Sequence, residues 1–478
     1  RMNEEAKLIN ISKKGFFSVV IILTGLIIAA GILTYVIPAG TFQRDGNLII
    51  SGTFEFSTSS GGYPIWRWLL APIEVLGSDD GLSIIMISLF LLILGGTFTL
   101  MEKTGGIHVI LKRLINRFKN RKYVLLRIVV LAFMLFGAFF GIFEESVALM
   151  PIMIILSLSL GWDTLIGIGM TVLAAGFGFA SGITNPFTVG IASEIAGINI
   201  LSGVGYRLII FILMYILLSS FLVHHAKKIE KDPTKSLTYE DDQKKARSFD
   251  VNGTIAFKNE TTIFRAYVTM FIVFLFFVVG ISVLDLLTPI SLPTIPFMAL
   301  TFLIGGLTAG YLVTKDFRFT LKKFGTGMLS VAPAVLLIMM AASIKFIIVQ
   351  GNVMDTILYY LANALMGQTP IVGILLIYAL VLFVEFFIGS GSAKAYLIIP
   401  LLIPLVALVG YSSELAILAF IFGDGYTNML YPTNGVLLIG LSMAGINYGK
   451  WFKWTWVLQL ITLFMTIVFL IVGFWIGY

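Results

Sequence analysis

The polar residues able to do chemistry in this chain sit inside apolar stretches, at four places. The run GIFEES at 141–146 ends in Glu144, Glu145 and Ser146, and the run GSGSAK at 389–394 contains Gly389, Ser390, Gly391, Ser392 and Lys394. Two further interruptions carry hydroxyls and amides: Ser181, Thr184, Asn185, Pro186 and Thr188 in one, and Asp424, Thr427, Asn428, Thr433 and Asn434 in the other. Pro186 and Pro432 lack a backbone donor and mark both as breaks in helices. Irregular backbone at membrane depth exposes N–H and C=O groups that must find partners. Free carbonyls with Ser, Thr and Asn oxygens suit a sodium ion, helix N-termini suit a carboxylate, and a proton requires an ionisable side chain. The expected substrate contacts are Glu144, Glu145, Ser146, Asn185, Thr188, Ser390, Gly391, Ser392, Lys394 and Asn434. The expected coupling-ion groups are Ser181, Thr184, Asn185, Asp424, Thr427, Asn428, Thr433 and Asn434. Glu385 and Asp424 are further carriers for a proton, and no cofactor beyond Na+ or H+ is expected. Small and hydroxylated residues also let membrane helices pack closely. The inference therefore rests on the pairing of a Thr-Asn break with a glycine-bearing tip, twice over.

The elements that must hold these groups are membrane helices. Of the 478 residues 58% are apolar and 12% charged, with mean hydropathy +0.99, against about 25% charged in soluble domains. Residues 16–37, 82–100, 206–223, 266–285, 296–314 and 454–477 are each long enough to span a core of about 30 Å. Short segments of alternating polarity, the mark of a barrel, are absent. With no cysteine, thiol catalysis and disulfides are excluded. Of the three histidines, His108 is far from any tip, while His224 and His225 adjoin Lys227 and Lys228 and read as a solvated helix end. Without histidine near the tips, a metal-ligand cluster or a phosphate loop, the chain reads as no enzyme and no ATPase. The first apolar run is too long for a cleavable signal peptide.

Charge sets the topology. Five clusters, 1–14, 103–127, 227–265, 315–323 and 450–453, hold 27 of the 32 Lys and Arg residues. Basic loops face the cytoplasm, so the net charge of +7 is a topological signal and no nucleic-acid footprint. This puts the N-terminus inside, the C-terminus outside, and 38–81, with Trp66 and Trp68, at the outer face of a cell membrane. The amphipathic stretch 105–120 is expected along the cytoplasmic interface or packed on other helices.

The two halves repeat one plan. At an offset of 249 residues Pro151 falls on Pro400, Gly161-Trp162 on Gly410-Tyr411, and Thr184-Asn185 on Thr433-Asn434, without a gap. The same offset sets Glu145 on Lys394, which suits a substrate bearing both a carboxylate and an amine. Residues 1–226 form the first repeat, with a hairpin at 123–160 and a broken helix at 163–200. Residues 227–262 are a polar, flexible cytoplasmic linker without a core of its own. Residues 263–478 form the second repeat, with a hairpin at 371–409 and a helix at 411–446 broken near Gly425–Gly435. Because the first hairpin opens to a basic loop and the second is flanked by segments without Lys or Arg, the repeats are expected to be inverted. That is the plan of secondary transporters, with sites near the midplane.

The tips GIFEES and GSGSAK, with ITNP and YTNMLYPTNG, resemble the YfcC-like branch of the DcuC (four-carbon dicarboxylate carrier) family. This branch belongs to the broader ion-transporter superfamily, which includes the divalent anion–sodium symporters. The resemblance covers nearly the whole chain. It implies an elevator-type transporter, a scaffold and a mobile domain in each subunit, and a homodimer in the lipid bilayer. Sodium-coupled relatives carry a serine-asparagine-threonine motif at each tip, from which both tips here depart. The branch is described as exchanging basic amino acids, which suits Glu144 and Glu145. The sequence thus points to secondary transport of a small carboxylate-bearing metabolite, an amino acid in preference to a dicarboxylate, rather than to a channel or a membrane hydrolase.

Overall fold

The computed structural model describes residues 13–45, 48–50, 52–58, 62–118, 120–248, 257, 259–288, 294–388 and 410–478, together with 394–395, 397–400, 402–403 and 406. Among them, eight helices are long and apolar enough to cross a membrane. The chain is a multi-pass α-helical membrane protein. The runs read from hydropathy become the helices Lys13–Val36, Gly81–Lys103, Val204–Lys231, Glu260–Leu287, Thr294–Thr314 and Tyr448–Trp475. The cluster at 315–323 is only partly a loop, because Arg318, Lys322 and Lys323 lie on the first turns of helix Phe317–Val331. Asp316 caps that helix by accepting from Phe319 N at 3.0 Å.

Helix Val204–Lys231 gives the molecule its vertical axis, about 42 Å long at 1.5 Å per residue. At its start, Arg207 donates to the hydroxyl of Tyr478 (3.2 Å), and Ser202 donates to Glu414 (2.6 Å). At its end, Glu230 accepts from the Trp162 indole (2.5 Å) and from Tyr123 (2.7 Å). The loop at 161–163 therefore lies at one end of this helix, and the loop at 410–412 at the other.

Within residues 38–81 lie two minimal antiparallel pairings, Gly40–Thr41 with Glu55–Phe56 and Arg44–Asp45 with Leu48–Ile49. Asp355 anchors this segment by accepting from Phe42 N (2.9 Å) and from Arg44 (2.6 Å). Helix Gly106–Phe118 turns its apolar face inward. Gly106 packs on Tyr267, Arg113 lies 4.1 Å from the Phe264 ring centroid, and Lys112 bonds Glu260 at 2.9 Å.

Two expectations are corrected at the end of helix Val204–Lys231. His225 is no solvated helix terminus: it is buried, and its Nε2 lies 2.8 Å from Asp163 Oδ2. The Trp454 indole donates to its Nδ1 at 3.3 Å. The helix runs on for more than a turn, to Lys231, so His225 lies inside it; His224, one position earlier, is exposed. The linker likewise has structure over its described part. After a turn at Pro233–Lys235 comes helix Tyr239–Ser248, with Ser236, Thr238 and Asp242 buried. Asp242 accepts from Thr164 N (3.1 Å), the Thr164 hydroxyl and the Thr238 hydroxyl (2.6 Å). Lys245 donates to Ala444 O at 2.6 Å and to Thr164 Oγ1 at 3.1 Å. Polar groups fasten this segment, so hydropathy gave no sign of it.

Candidate functional site

The first hairpin is built from helix Lys122–Leu135, a wider π turn at Phe136–Phe140, and helix Glu144–Ser159. Gly141 joins them with φ +67°, a left-handed conformation that glycine adopts without steric cost. A Cβ at Gly141 would stand 2.6 Å from Asn185 Oδ1. The second helix begins at Glu144, so its free amides open at the tip. The buried Ser146 hydroxyl donates to Phe143 O at 2.5 Å. The side chains of Glu144 and Glu145 lie outside the described residues.

The facing break follows helix Ala174–Ala180. Three successive amides, Ile183, Thr184 and Asn185, converge on the single carbonyl of Ala138 at 2.8, 3.1 and 3.1 Å. Asn185 adds its own clamp, donating to Gly137 O (3.2 Å) and accepting from Phe187 N (2.9 Å). Thr184 donates to Phe139 O at 3.2 Å, and Ser181 to Phe177 O at 2.7 Å. Thr188 is fully buried, and its hydroxyl has no hydrogen-bond partner among the described residues. The sequence signalled the amides and hydroxyls here, but not the Ala138 carbonyl that gathers them.

In the second half Gly389, Ser390, Gly391 and Ser392 lie outside the described residues, and Lys394 lies within them. The break falls within the expected Gly425–Gly435 stretch, at its far end. Helix Ser413–Leu430 runs unbroken through Gly423 and Gly425, and the interruption is Tyr431–Asn434. Those glycines serve packing: a Cβ at Gly425 would strike the Ala180 backbone, and one at Gly423 the Glu385 carboxyl. Asp424, Thr427 and Asn428 are accordingly helical, while Thr433 and Asn434 are in the break. Asn434 caps the next helix, Gly435–Met443, by accepting from Leu437 N (3.0 Å), and donates to Asn428 Oδ1 at 2.8 Å. Thr427 donates to Gly423 O at 3.2 Å. The Thr433 hydroxyl is buried without a partner among the described residues.

The two broken helices touch where Gly425 meets Ala180 and where Gly176 meets Met429. Beside this crossing lies a buried charged group. Lys394 Nζ is 2.8 Å from Asp424 Oδ1, both side chains being no more than 2% exposed. Glu385, on helix Pro370–Phe387, is also wholly buried. Among the described residues, the site holds two Asn-capped helix starts and unpartnered hydroxyls at Thr188 and Thr433, with the Lys394–Asp424 pair beside them. It has the means to hold a small charged solute. Among the described residues no cluster of His, Asp and Glu has metal-ligand geometry.

The sequence pattern of the C4-dicarboxylate anaerobic carrier family, DcuC, matches residues 16–475. The chain belongs to the DcuC family. A DcuC-type relative in Escherichia coli (strain K12), named "Putative basic amino acid antiporter YfcC", is 29% identical over 91% of each chain. An uncharacterized protein of Haemophilus influenzae is 30% identical, over 77% of this chain and 71% of its own. Among solved structures, the Alcanivorax borkumensis YdaH transporter matches with TM-score 0.45 at 18% identity, covering 97% of this chain and 98% of that one. MtrF of Neisseria gonorrhoeae, described with a class of antimetabolite efflux pumps, gives 0.42 at 15% identity, covering 98% and 95%. This DcuC member is a transporter, as its family is, and not an enzyme.

Proposed function

We propose that the chain is a secondary active transporter for a small carboxylate-bearing metabolite, with an amino acid, basic and moved by exchange, as the preferred substrate. The carrying observation is the matched pair of breaks, each with a buried asparagine that accepts from a backbone amide of the helix that follows. Around them the buried hydroxyls of Thr188 and Thr433 await partners that a bound solute can supply. The acidic tip, Glu144-Glu145, and the name of the E. coli relative favour an amine-bearing substrate. The family's name favours a dicarboxylate, coupled to sodium or protons, as the second reading.

Inverted repeats support either reading: equivalent loops at 161–163 and 410–412 lie at opposite ends of helix 204–231. The proposal includes a homodimer moving by an elevator mechanism in a bacterial cell membrane. It places the N-terminus in the cytoplasm and the C-terminus outside.

Thermal unfolding of purified protein against arginine, ornithine, aspartate and succinate, each with and without sodium, tests the assignment. A ligand that binds only the folded state raises the apparent Tm. Stabilisation by arginine or ornithine supports the amino-acid reading. Stabilisation by succinate alone, dependent on sodium, replaces it with the dicarboxylate symporter. No shift with any of the four overturns both.

A further inference from the structure

The buried charges beside the broken helices do not balance. Lys394 and Asp424 neutralise each other at 2.8 Å, which leaves Glu385, whose side chain is entirely enclosed. Neither Glu385 oxygen has a hydrogen-bond partner among the described residues, nor has Asp424 Oδ2. Gly423 backs directly onto the Glu385 carboxyl. Thr427 faces it from the same helix, but its hydroxyl donates to Gly423 O. Among the described residues, the other titratable groups around the carboxyl are Asp424 on helix 413–430, Tyr431 after it, Tyr378 on Glu385's own helix and Lys394 beyond the tip, with Tyr426 beside the two tyrosines. Their hydroxyls are engaged elsewhere: Tyr378 with Thr466 (2.9 Å), Tyr431 with Leu382 O (2.9 Å) and Tyr426 with Gln459 O.

We propose that Glu385 is the proton-carrying group of this transporter, which deepens the reading above and rests on it for the transport step. An ionised Glu385 would give the trio a net charge of −1 inside apolar protein, with no more than the Thr427 hydroxyl near enough to offset desolvation. One proton on Glu385 makes the trio neutral and leaves the Lys394–Asp424 pair intact. The proton comes from water on the side to which the site is open. It leaves to water on the other side after the site reorients, with no bond other than the carboxyl O–H made or broken. The neutral trio is the form that crosses the midplane, so proton loading permits reorientation. Lys394 and Asp424 are positioning residues in this scheme, since they fix how many protons Glu385 must take.

Infrared difference spectroscopy of substrate-free protein reads the proton directly, as the C=O stretch of a buried carboxylic acid. At pH 7 the wild type is expected to show such a band, absent in Glu385→Gln and displaced but present in Glu385→Asp. The aspartate variant keeps the test decisive should the glutamine variant misfold. In proteoliposomes supplied with arginine, or separately succinate, a gradient of one pH unit should change wild-type accumulation by about tenfold for one proton per cycle. Glu385→Gln should retain counterflow and lose the response to the gradient. No Glu385-dependent acid band between pH 5 and 8, or a gradient response preserved in Glu385→Gln, would overturn the proposal. A clear band with neither solute transported would uphold the proton site and instead sink the substrate assignment.

Discussion

Asp163 and Ser412, 249 positions apart, accept the same hydrogen bond at opposite ends of helix 204–231: each takes the amide three residues on, Ile166 N at 3.0 Å and Leu415 N at 3.1 Å. Each follows a glycine with a left-handed backbone, Gly161 (φ +82°) and Gly410 (φ +81°). In both loops the intervening aromatic amide closes onto the carbonyl five residues back, Trp162 onto Ser157 (3.0 Å) and Tyr411 onto Val406 (2.8 Å). Each cap opens a helical segment that later breaks just before an asparagine-capped turn. The local chemistry of the two halves is thus shared down to single hydrogen bonds.

The two caps should differ in worth. Ser412→Ala removes a side-chain cap, costing about 1 kcal/mol, together with the hydroxyl's donation to Tyr478 O. Asp163→Ala removes the cap and also strands His225 and Ser236, which both bond Asp163 Oδ2, adding roughly 1–3 kcal/mol for buried groups left unpaired. The apparent Tm in detergent should fall further for Asp163→Ala; equal falls would show that His225 contributes nothing through this contact.

Asn185→Ala and Asn434→Ala should each lower the apparent Tm and abolish ligand stabilisation. Asn434→Asp is the informative companion. It keeps the acceptor for Leu437 N and loses the donor to Asn428. Recovery of most of the Tm, roughly the 1 kcal/mol of a helix cap, without recovery of ligand response would separate capping from binding. Simultaneous recovery of both would show that the Asn428 contact is dispensable.

Gly141→Ala is expected to destabilise by roughly 1–2 kcal/mol from the left-handed backbone alone. The crowding of its Cβ against Asn185 adds to this. Loss of uptake with little loss of folded protein is the anticipated pattern, read by size-exclusion yield alongside transport. Wild-type uptake in this variant would show that the tip tolerates a shift away from the break.

The docked segment at 239–248 should respond to pH. Burial raises the Asp242 carboxyl above the ordinary aspartate range, against the opposing pull of Lys245. Burial also lowers the Lys245 amine. A carboxyl whose folded pKa is raised favours the protonated form, so its contribution is full below the unfolded value and is lost as pH rises through the folded value. A lowered lysine acts in the other sense: its neutral form favours docking at high pH, and that contribution fades as pH falls through its folded value. Through the aspartate, protease cleavage within 239–248 should slow on acidification, with the lysine opposing that trend. Asp242→Asn should flatten that dependence, and an unchanged slope would assign it elsewhere.

Hydropathy located the membrane helices because twenty apolar residues have few other fates, and the offset that sets Gly161 on Gly410 joins two loops of like geometry. Other features left no trace in the pattern. Gly425 opened the stretch read as a helix break but is a place where Ala180 approaches closely, as Glu385 does at Gly423. His225 looked solvated because its partners, Asp163 and Trp454, come from distant parts of the chain. Lys394 is paired with Asp424, a contact set by the crossing of helices and not by spacing.

The three amides gathered by the Ala138 carbonyl use backbone atoms alone. Exchange of the side chains at 183, 184 or 185 for others, proline apart, deletes none of those hydrogen bonds. A lineage could therefore alter the side chain at 183 while the backbone part of the joint between tip and break survives, leaving only the side-chain clamps of Thr184 and Asn185 exposed to mutation.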